Sequence, residues 1–459
     1  MVSGVIFVKK RVTLPALLLA LLLLFAGCST GEQGETVYSI AGNVLEYSDT
    51  ELVLSTSTAQ YQFDISAAQQ EENGLSLAVG CQVIVYYTGQ LSPQQAISAQ
   101  RFEVSRPASP GQTVTAVGST PQSKAVADLY NSMTLEQKVG QLILASYDAA
   151  SAAEIAQNCH PAGFLLGSED FAGKTTEIMA QELASYQTLE GVGLWLGTSE
   201  EGGSVAPVSG NDGYRAYPFY SPQQIYASRG LEGFDTDTKE RCALLTSMGL
   251  NLNLAPVFNV STDPAQEIYS RTLGQDATVT GQYVNDVVQA NLASGIQPVL
   301  KYFPTYGTTQ ENGIRVDSRS WEEINATDLA SYSAGAGAGA QAVLVSHCIV
   351  NCLDDANPVS LSVSAMYQIR TNMGFNGVLI AEDVNQAGLE AYCSGSLSPA
   401  VQAVVSGADL VIAGDPAGVY QQLYTAVQDG VISQQRLMEA VVRTLTWKQS
   451  AGLAAVVSE

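Results

Sequence analysis

An α/β chain built on a (β/α)8 TIM-type barrel, preceded by a small all-β domain, is what this sequence predicts. Continuous apolar runs recur at 193–196, 252–257, 298–301, 342–345, 377–380 and 409–412, and helical stretches separate them. Runs that are apolar on both faces mark parallel strands covered on each side. At least six of them within roughly 330 residues suit a closed barrel better than an open doubly wound sheet. Polar residues stand directly after the runs: Ser199-Glu200-Glu201, Asn259, Lys301, His347 and Glu382-Asp383. Those positions are C-terminal strand ends, where barrel active sites are built.

The chain begins differently. Lys9, Lys10 and Arg11 form a basic patch, and residues 12–25 form an apolar run of about 14 residues that closes on Phe25-Ala26-Gly27-Cys28. The run is short for a membrane span of roughly 20 residues and reads as an export signal over 1–28. Small residues before Cys28 resemble a bacterial lipobox, with Phe25 where Leu is commoner. The expectation is a lipid-anchored, extracytoplasmic protein whose lipidated Cys28 leads into a polar tether at 29–36. Two acyl chains supply the anchoring that one does not.

Residues 37–104 carry short β-rich runs at 37–40, 52–54, 59–63 and 82–87, separated by turn residues such as Ser48-Asp49 and Asn73-Gly74. They predict a small β-barrel or sandwich, read as a spacer or binding module because no polar constellation stands out. Residues 105–124, with Pro107, Pro110, Gly111, Gly118 and Pro121 among Ser and Thr, have linker composition. The barrel is expected over 125–455. Within it, the alternating Ser-Ala-Gly-Ala-Gly-Ala-Gly-Ala stretch at 333–340 is expected to be a helix held by close packing.

The 459 residues include 20 Lys+Arg and 44 Asp+Glu, a formal charge of −24. That excess of acid excludes a nucleic-acid partner, since nothing could neutralise a row of phosphates. A hydrophobic fraction of 46% excludes disorder. Only two histidines, His160 and His347, are present, which rules out multi-histidine centres. Cys348 and Cys352 are four apart beside His347, but no further ligand cluster accompanies them, so neither a metal nor another cofactor is expected. The spacing of the cysteines names no disulfide, and buried thiols are the default reading.

Six segments in order resemble glycoside hydrolase family 3, in particular its single-barrel β-N-acetylhexosaminidases. Residues 133–142 (MTLEQKVGQL) resemble that family's opening helix, and Glu201-Gly202-Gly203-Ser204-Val205 its D-Q-E-G-G-R-V. Residues 253–260 (NLAPVFNV) resemble F-A-P-V-x-D-V, and 270–274 (SRTLG) resemble R-S-F-G. Residues 301–307 (KYFPTYG) resemble K-H-F-P-G-H-G, and 375–383 (FNGVLIAED) resemble F-D-G-V-V-I-T-D-D. The resemblance covers the barrel only. It implies a retaining mechanism in which one carboxylate attacks the anomeric carbon and an Asp–His dyad on the loop after K-H-F-P-G-H-G protonates the leaving oxygen.

Carried over position by position, the resemblance gives Arg271, Lys301, Glu201 and His347 as sugar-binding residues. Arg271 and Lys301 either hold a sugar or pair with Glu382. Ser199 stands for the family's sugar-contacting Asp, Ser204 for its Arg, and Tyr302 and Tyr306 for two histidines; the tyrosines either stack on a sugar or fill space. Glu382 occupies the nucleophile position, with Asp383 beside it. The extra methylene of Glu moves the attacking oxygen by about 1 Å, a displacement that costs on the order of 10²-fold in rate. The loop at 308–317 contains no His and is about four residues shorter than the family pattern. Glu311, on this loop, offers a substitute acid/base. The expected ligand is a β-linked amino sugar or cell-wall glycan, either hydrolysed at a degraded site or bound without chemistry.

Overall fold

The computed structural model describes residues 37–454 apart from 56–59, 71–76, 78–80, 89–94, 107–122, 188–191, 312 and 373–374. The export signal with Cys28, the tether at 29–36 and most of the linker at 105–124 fall outside the described residues.

The N-terminal strands are β1 (Val37–Tyr47), β2 (Glu51–Ser55), β3 (Gln60–Asp64), β4 (Gln69–Gln70), β5 (Gln82–Thr88) and β6 (Ile97–Arg106). They run in the order β3-β2-β1-β5-β6-β4, and β3 also pairs with β6, so the sheet closes on itself around Leu52, Leu54, Phe63, Val83, Val85, Phe102 and Val104. The sequence pattern does not announce β6. Ile97 and Ala99 are buried, then Phe102 and Val104, because the register shifts between the Tyr86↔Arg101 and Tyr87↔Ala99 pairs. Such a bulge breaks the alternation by which a strand is read. Tyr367, on the helix Val363–Asn372, packs against this core, and the Gln435 side chain donates to Glu46.

The second body is a closed barrel of eight parallel strands. In chain order they are β7 (Ile143–Ser146), β8 (Gly163–Leu165), β9 (Trp195–Thr198), β10 (Leu252–Asn253), β11 (Gln297–Phe303), β14 (Ala342–Val345), β16 (Val378–Asp383) and β17 (Leu410–Ala413). Between β11 and β14 comes a hairpin, β12 (Thr309–Glu311) and β13 (Ile314–Asp317). β15 (Cys348–Val350) follows β14 and pairs with β13, giving a separate three-stranded sheet.

Neighbouring residues on each strand face opposite ways. Leu144, Trp195, Leu252, Val299, Leu344, Ile380 and Leu410 share the inner cluster, while Ile143, Leu196, Leu300, Val343, Leu379 and Val411 pack under the helices. Tyr302 and Tyr306 belong to the inner cluster, so aromatic rings fill the C-terminal end of the barrel.

The small-residue stretch is helical only as far as Gly337, as the second half of the helix Asp328–Gly337, and its last three residues lie beyond the helix. A Cβ at Gly335 would come within 2.6 Å of Val284 Cγ1 and 2.9 Å of Leu300 Cδ1. The glycine therefore lets this helix lie against its neighbour Ala277–Ala293 and against β11. Gly335→Val is expected to destabilise the protein by about 1–3 kcal/mol, the usual cost of overpacking, measured as a lower denaturant midpoint. An unchanged midpoint would show that the close approach does not matter.

Candidate active site

The loop after β9 places Glu201 rigidly. Asn253 Oδ1 accepts the Glu200 N–H at 2.9 Å, and its Nδ2 donates to the Glu200 carbonyl at 3.1 Å. Arg241 donates to the carbonyls of Glu200 (3.1 Å) and Glu201 (2.8 Å) while paired with Asp237 at 2.6 Å. The Glu200 carboxylate accepts the Val208 N–H at 2.8 Å and the Ser209 hydroxyl at 2.5 Å, which folds the rest of the loop back.

With its backbone fixed, Glu201 receives two cations. Arg271 meets it through two parallel hydrogen bonds, Nε to Oε2 at 2.9 Å and Nη2 to Oε1 at 2.6 Å. Lys301 Nζ lies 2.5 Å from Oε1 and donates to Ser199 Oγ at 3.3 Å. The sequence leaves open a pairing of Arg271 and Lys301 with Glu382; the structure gives both to Glu201. Burial raises the Glu201 carboxyl, but Lys301 and Arg271 hold it below the usual carboxylate range. Burial pulls the Lys301 ammonium down, and Glu201 partly restores it.

Arg271 Nη2 also donates to Tyr302 Oη at 2.6 Å, and Tyr306 Oη donates to Glu267 at 2.8 Å. The two tyrosine rings meet edge to face with centroids 5.0 Å apart. Arg271, Lys301 and Arg315 surround the Tyr302 ring at 5.2, 5.6 and 5.3 Å from its centroid, and Arg315 lies 4.1 Å from that of Tyr306. Cations are drawn to the negative face of an aromatic ring, more strongly where water is excluded. Burial pushes both phenols up to about 12, so neither gives up a proton readily near neutrality. The tyrosines are packing residues braced by cations, with little ring face left for a sugar: Tyr302 is 8% and Tyr306 7% exposed.

Glu382 sits at the end of β16, and Arg315 on β13 forms an ion pair with it. The His347 backbone N–H donates to the same carboxylate oxygen at 2.6 Å. Burial would raise the Glu382 carboxyl, but the Arg315 guanidinium, helped by the His347 side, brings it below its ordinary value. Asp383 faces elsewhere, its Oδ1 accepting the N–H groups of Asn385 (3.0 Å) and Gly414 (3.1 Å). It shapes the strand end and is not paired with Glu382.

The His347 ring is buried within the fold. Its Nε2 lies 3.0 Å from the Asp383 carbonyl, which only accepts, so Nε2 carries the proton. Nδ1 then accepts from Ser360 Oγ at 2.6 Å. Burial lowers its pKa, which keeps the ring neutral. Both nitrogens are used for structure, so the imidazole is not presented to a ligand. His160 caps the helix Ala152–Cys159, before β8 and therefore at the opposite end of the barrel. Glu311 is exposed on the hairpin strand β12.

Of the candidate residues, the structure brings together Ser199, Glu201, Arg271, Lys301 and Tyr302, with Tyr306 packed beside them and Glu382 reached through Arg315. His347 joins them only through its backbone N–H to Glu382, the Asp383 carboxylate turns to Asn385 and Gly414, and Glu311 stands apart on the exposed strand β12. The sequence reading does not find Arg315. Its signal is a lone cation between two buried apolar residues, Ile314 and Val316, a strand alternation inside what reads as a loop.

Residues 134–447 match the Glycosyl hydrolase family 3 N terminal domain. The chain belongs to glycoside hydrolase family 3. It is similar to the β-hexosaminidase LpqI of Mycobacterium tuberculosis, 26% identical over 330 residues, which span 68% of this chain and 82% of that one. Among solved structures, it resembles the β-N-acetylhexosaminidase from Beutenbergia cavernae with a TM-score of 0.60 at 25% identity, over 69% of this chain and 99% of that one. A glycoside hydrolase family 3 β-N-acetylglucosaminidase from Paenibacillus shares the fold, with a TM-score of 0.64 at 23% identity, over 72% of this chain and 64% of that one.

Proposed function

We propose that this member of glycoside hydrolase family 3 binds β-linked amino sugars or cell-wall glycans outside the cytoplasm, tethered through lipid on Cys28, and has lost hydrolysis of the family's usual kind. The observation that carries this reading is the Arg315–Glu382 pair. A retaining glycosidase needs a free carboxylate nucleophile and a proton donor on the other side of the bond. Here the carboxylate at the nucleophile position is covered by a guanidinium delivered by the very hairpin that follows β11. That hairpin segment contains no His, and the buried tyrosines and the fixed His347 are poor donors. Arg271, 19% exposed at its side chain and already paired with Glu201, is the group best placed to meet a sugar hydroxyl.

A second reading, slow hydrolysis with Glu382 as nucleophile and Glu311 as acid, is favoured by one observation: Glu382 is kept ionised. Aryl β-N-acetylglucosaminide separates the two. The purified protein is expected to release no nitrophenol at rates typical of enzymes. Turnover near about 10 s⁻¹, abolished by Glu382→Gln, would establish hydrolysis instead. Calorimetry with muropeptides is expected to show binding that Arg271→Ala weakens.

A further inference from the structure

We infer that an aromatic groove beside Glu201 and Arg271 is a binding subsite for a neutral oligosaccharide, extending the candidate site outward along the glycan. The inference rests on the glycan-binding reading above and adds where the chain of sugars runs.

Large exposed apolar side chains need a reason when they cluster. Tyr217 is 78% exposed and Tyr220 is 50% exposed, and both line one open groove of about 710 Å³ together with Tyr269. That volume lies within the range of roughly 300–1,000 Å³ found for small-molecule sites. Gln223, Gln224 and Ser204 contribute carboxamides and a hydroxyl to the wall, and among the described residues no charged one lines it; Arg215, 4.0 Å from the Phe219 ring, is paired with Glu240 at 3.4 Å. In a protein of net charge −24, an uncharged groove selects a neutral ligand. Aromatic rings beside amides and hydroxyls match a pyranose, which offers C–H bonds on one face and hydroxyls at its rim. Tyrosine is suited to such a surface because its ring is large, rigid and amphipathic.

The groove is built in advance. Gln223 Nε2 donates to the Tyr269 carbonyl at 2.6 Å, joining its two walls. The Gly203 N–H donates to the Phe219 carbonyl at 2.8 Å, and the Phe219 N–H to Ser209 Oγ at 3.0 Å, so the Tyr217–Tyr220 segment is tied to the loop that carries Glu201. Gly203 has a φ of +63°, and a Cβ there would lie 2.7 Å from Ser221 Cβ, so only glycine allows this close turn. The groove adjoins the site along the chain: its lining residues Tyr269 and Ser270 immediately precede Arg271, and Gly203 and Ser204 closely follow Glu201. A glycan whose end sugar meets Arg271 has its next residues over the tyrosines.

The test is calorimetric titration of the purified protein with N-acetylglucosamine and with N,N′,N″-triacetylchitotriose. Stacking on two rings predicts that the trimer binds about tenfold or more tighter than the monomer. In Tyr217→Ala/Tyr220→Ala, whose changes are on exposed side chains, that ratio is expected to fall to about one. Equal affinities in the unaltered protein, or a ratio that survives the double substitution, overturns the groove. Trimer binding that needs the tyrosines but ignores Arg271→Ala leaves the groove standing and removes the barrel mouth as the binding site. No binding of either sugar removes both.

Discussion

Replacing Asp409 with alanine is expected to cost the fold about 3–5 kcal/mol at neutral pH, seen as a lower denaturant midpoint. This carboxylate is fully buried just before β17, at the end of the barrel away from the candidate site. Arg436 reaches its Oδ1 at 2.9 Å and Arg443 at 3.1 Å, Arg370 pairs with Oδ2, and the Leu379 N–H donates to Oδ2 at 3.0 Å. It thereby ties the helices Val363–Asn372 and Gln434–Ser450 to β16 and β17. Without it, three largely buried guanidiniums would face one another, with Glu439, 3.3 Å from Arg436, left to offset them. Burial alone raises the Asp409 carboxyl, but Arg370, Arg443 and Arg436 bring it down to about 2, against about 3.9 in an unfolded chain. A depressed carboxyl stabilises the fold above its unfolded pKa and loses that contribution as pH falls through the folded one. About 2–3 kcal/mol is therefore present above pH ~4 and disappears toward pH ~2. Asp409→Asn keeps the shape and removes the titration, so its stability profile between those pH values should be flatter. Parallel profiles for the two proteins would refute the assignment.

The sequence shows the barrel through runs such as 342–345, which become β14 without adjustment, because a strand buried on both faces is apolar at every position. β7 hides at the end of the opening helix. The apolar stretch from Leu142 to Ala145 continues the helical pattern, and only the structure ends that helix at Gly140 and starts a strand at Ile143. The run at 252–257 marks a strand, but the structure keeps only its first two residues, Leu252–Asn253, as β10. At the site, the carried-over positions of Glu201, Arg271 and Lys301 do converge: Lys301 lies on β11, Glu201 on the loop after β9 and Arg271 at the end of the short helical turn Glu267–Arg271. Their pairing is not legible. Whether Lys301 turns to Glu201 or to Glu382 depends on which carboxylate the surrounding loops bring within reach. Arg315 is hidden for a related reason. Its strand pairs in parallel with β15, more than 30 residues later, and nothing local in Thr308–Asp317 announces that partner.

Arg315→Leu carries the second large effect, and its pH dependence separates the electrostatics of the pair from simple packing. The Arg315 and Glu382 side chains are 14% and 16% exposed, so removing one partner strands the other, at a cost of about 3 kcal/mol at pH 7. In the unaltered protein the Glu382 carboxyl lies below its ordinary value of 4.5, so the pair's contribution is present above that pH and fades as the carboxylate is protonated below it. In the variant the desolvation that Arg315 offsets remains, opposed by His347 without the guanidinium, and the carboxyl is expected to shift upward. A raised carboxyl favours the fold at low pH and penalises it as pH rises through the folded pKa. The deficit of the variant is therefore expected to be large at pH 7 and to shrink toward pH 4.5, measured as the difference in denaturation midpoint between the two proteins. A deficit that does not change with pH would mean that Arg315 acts through volume alone. Arg315→Leu/Glu382→Leu completes the cycle: with both charges gone and apolar side chains in their place, stability should return to near that of the unaltered protein, because a buried pair is seldom worth more than well-packed hydrophobic residues. Such a recovery would mean that stability does not require the pair, and the reason for its presence would then have to be sought in what the guanidinium does to the carboxylate at the nucleophile position.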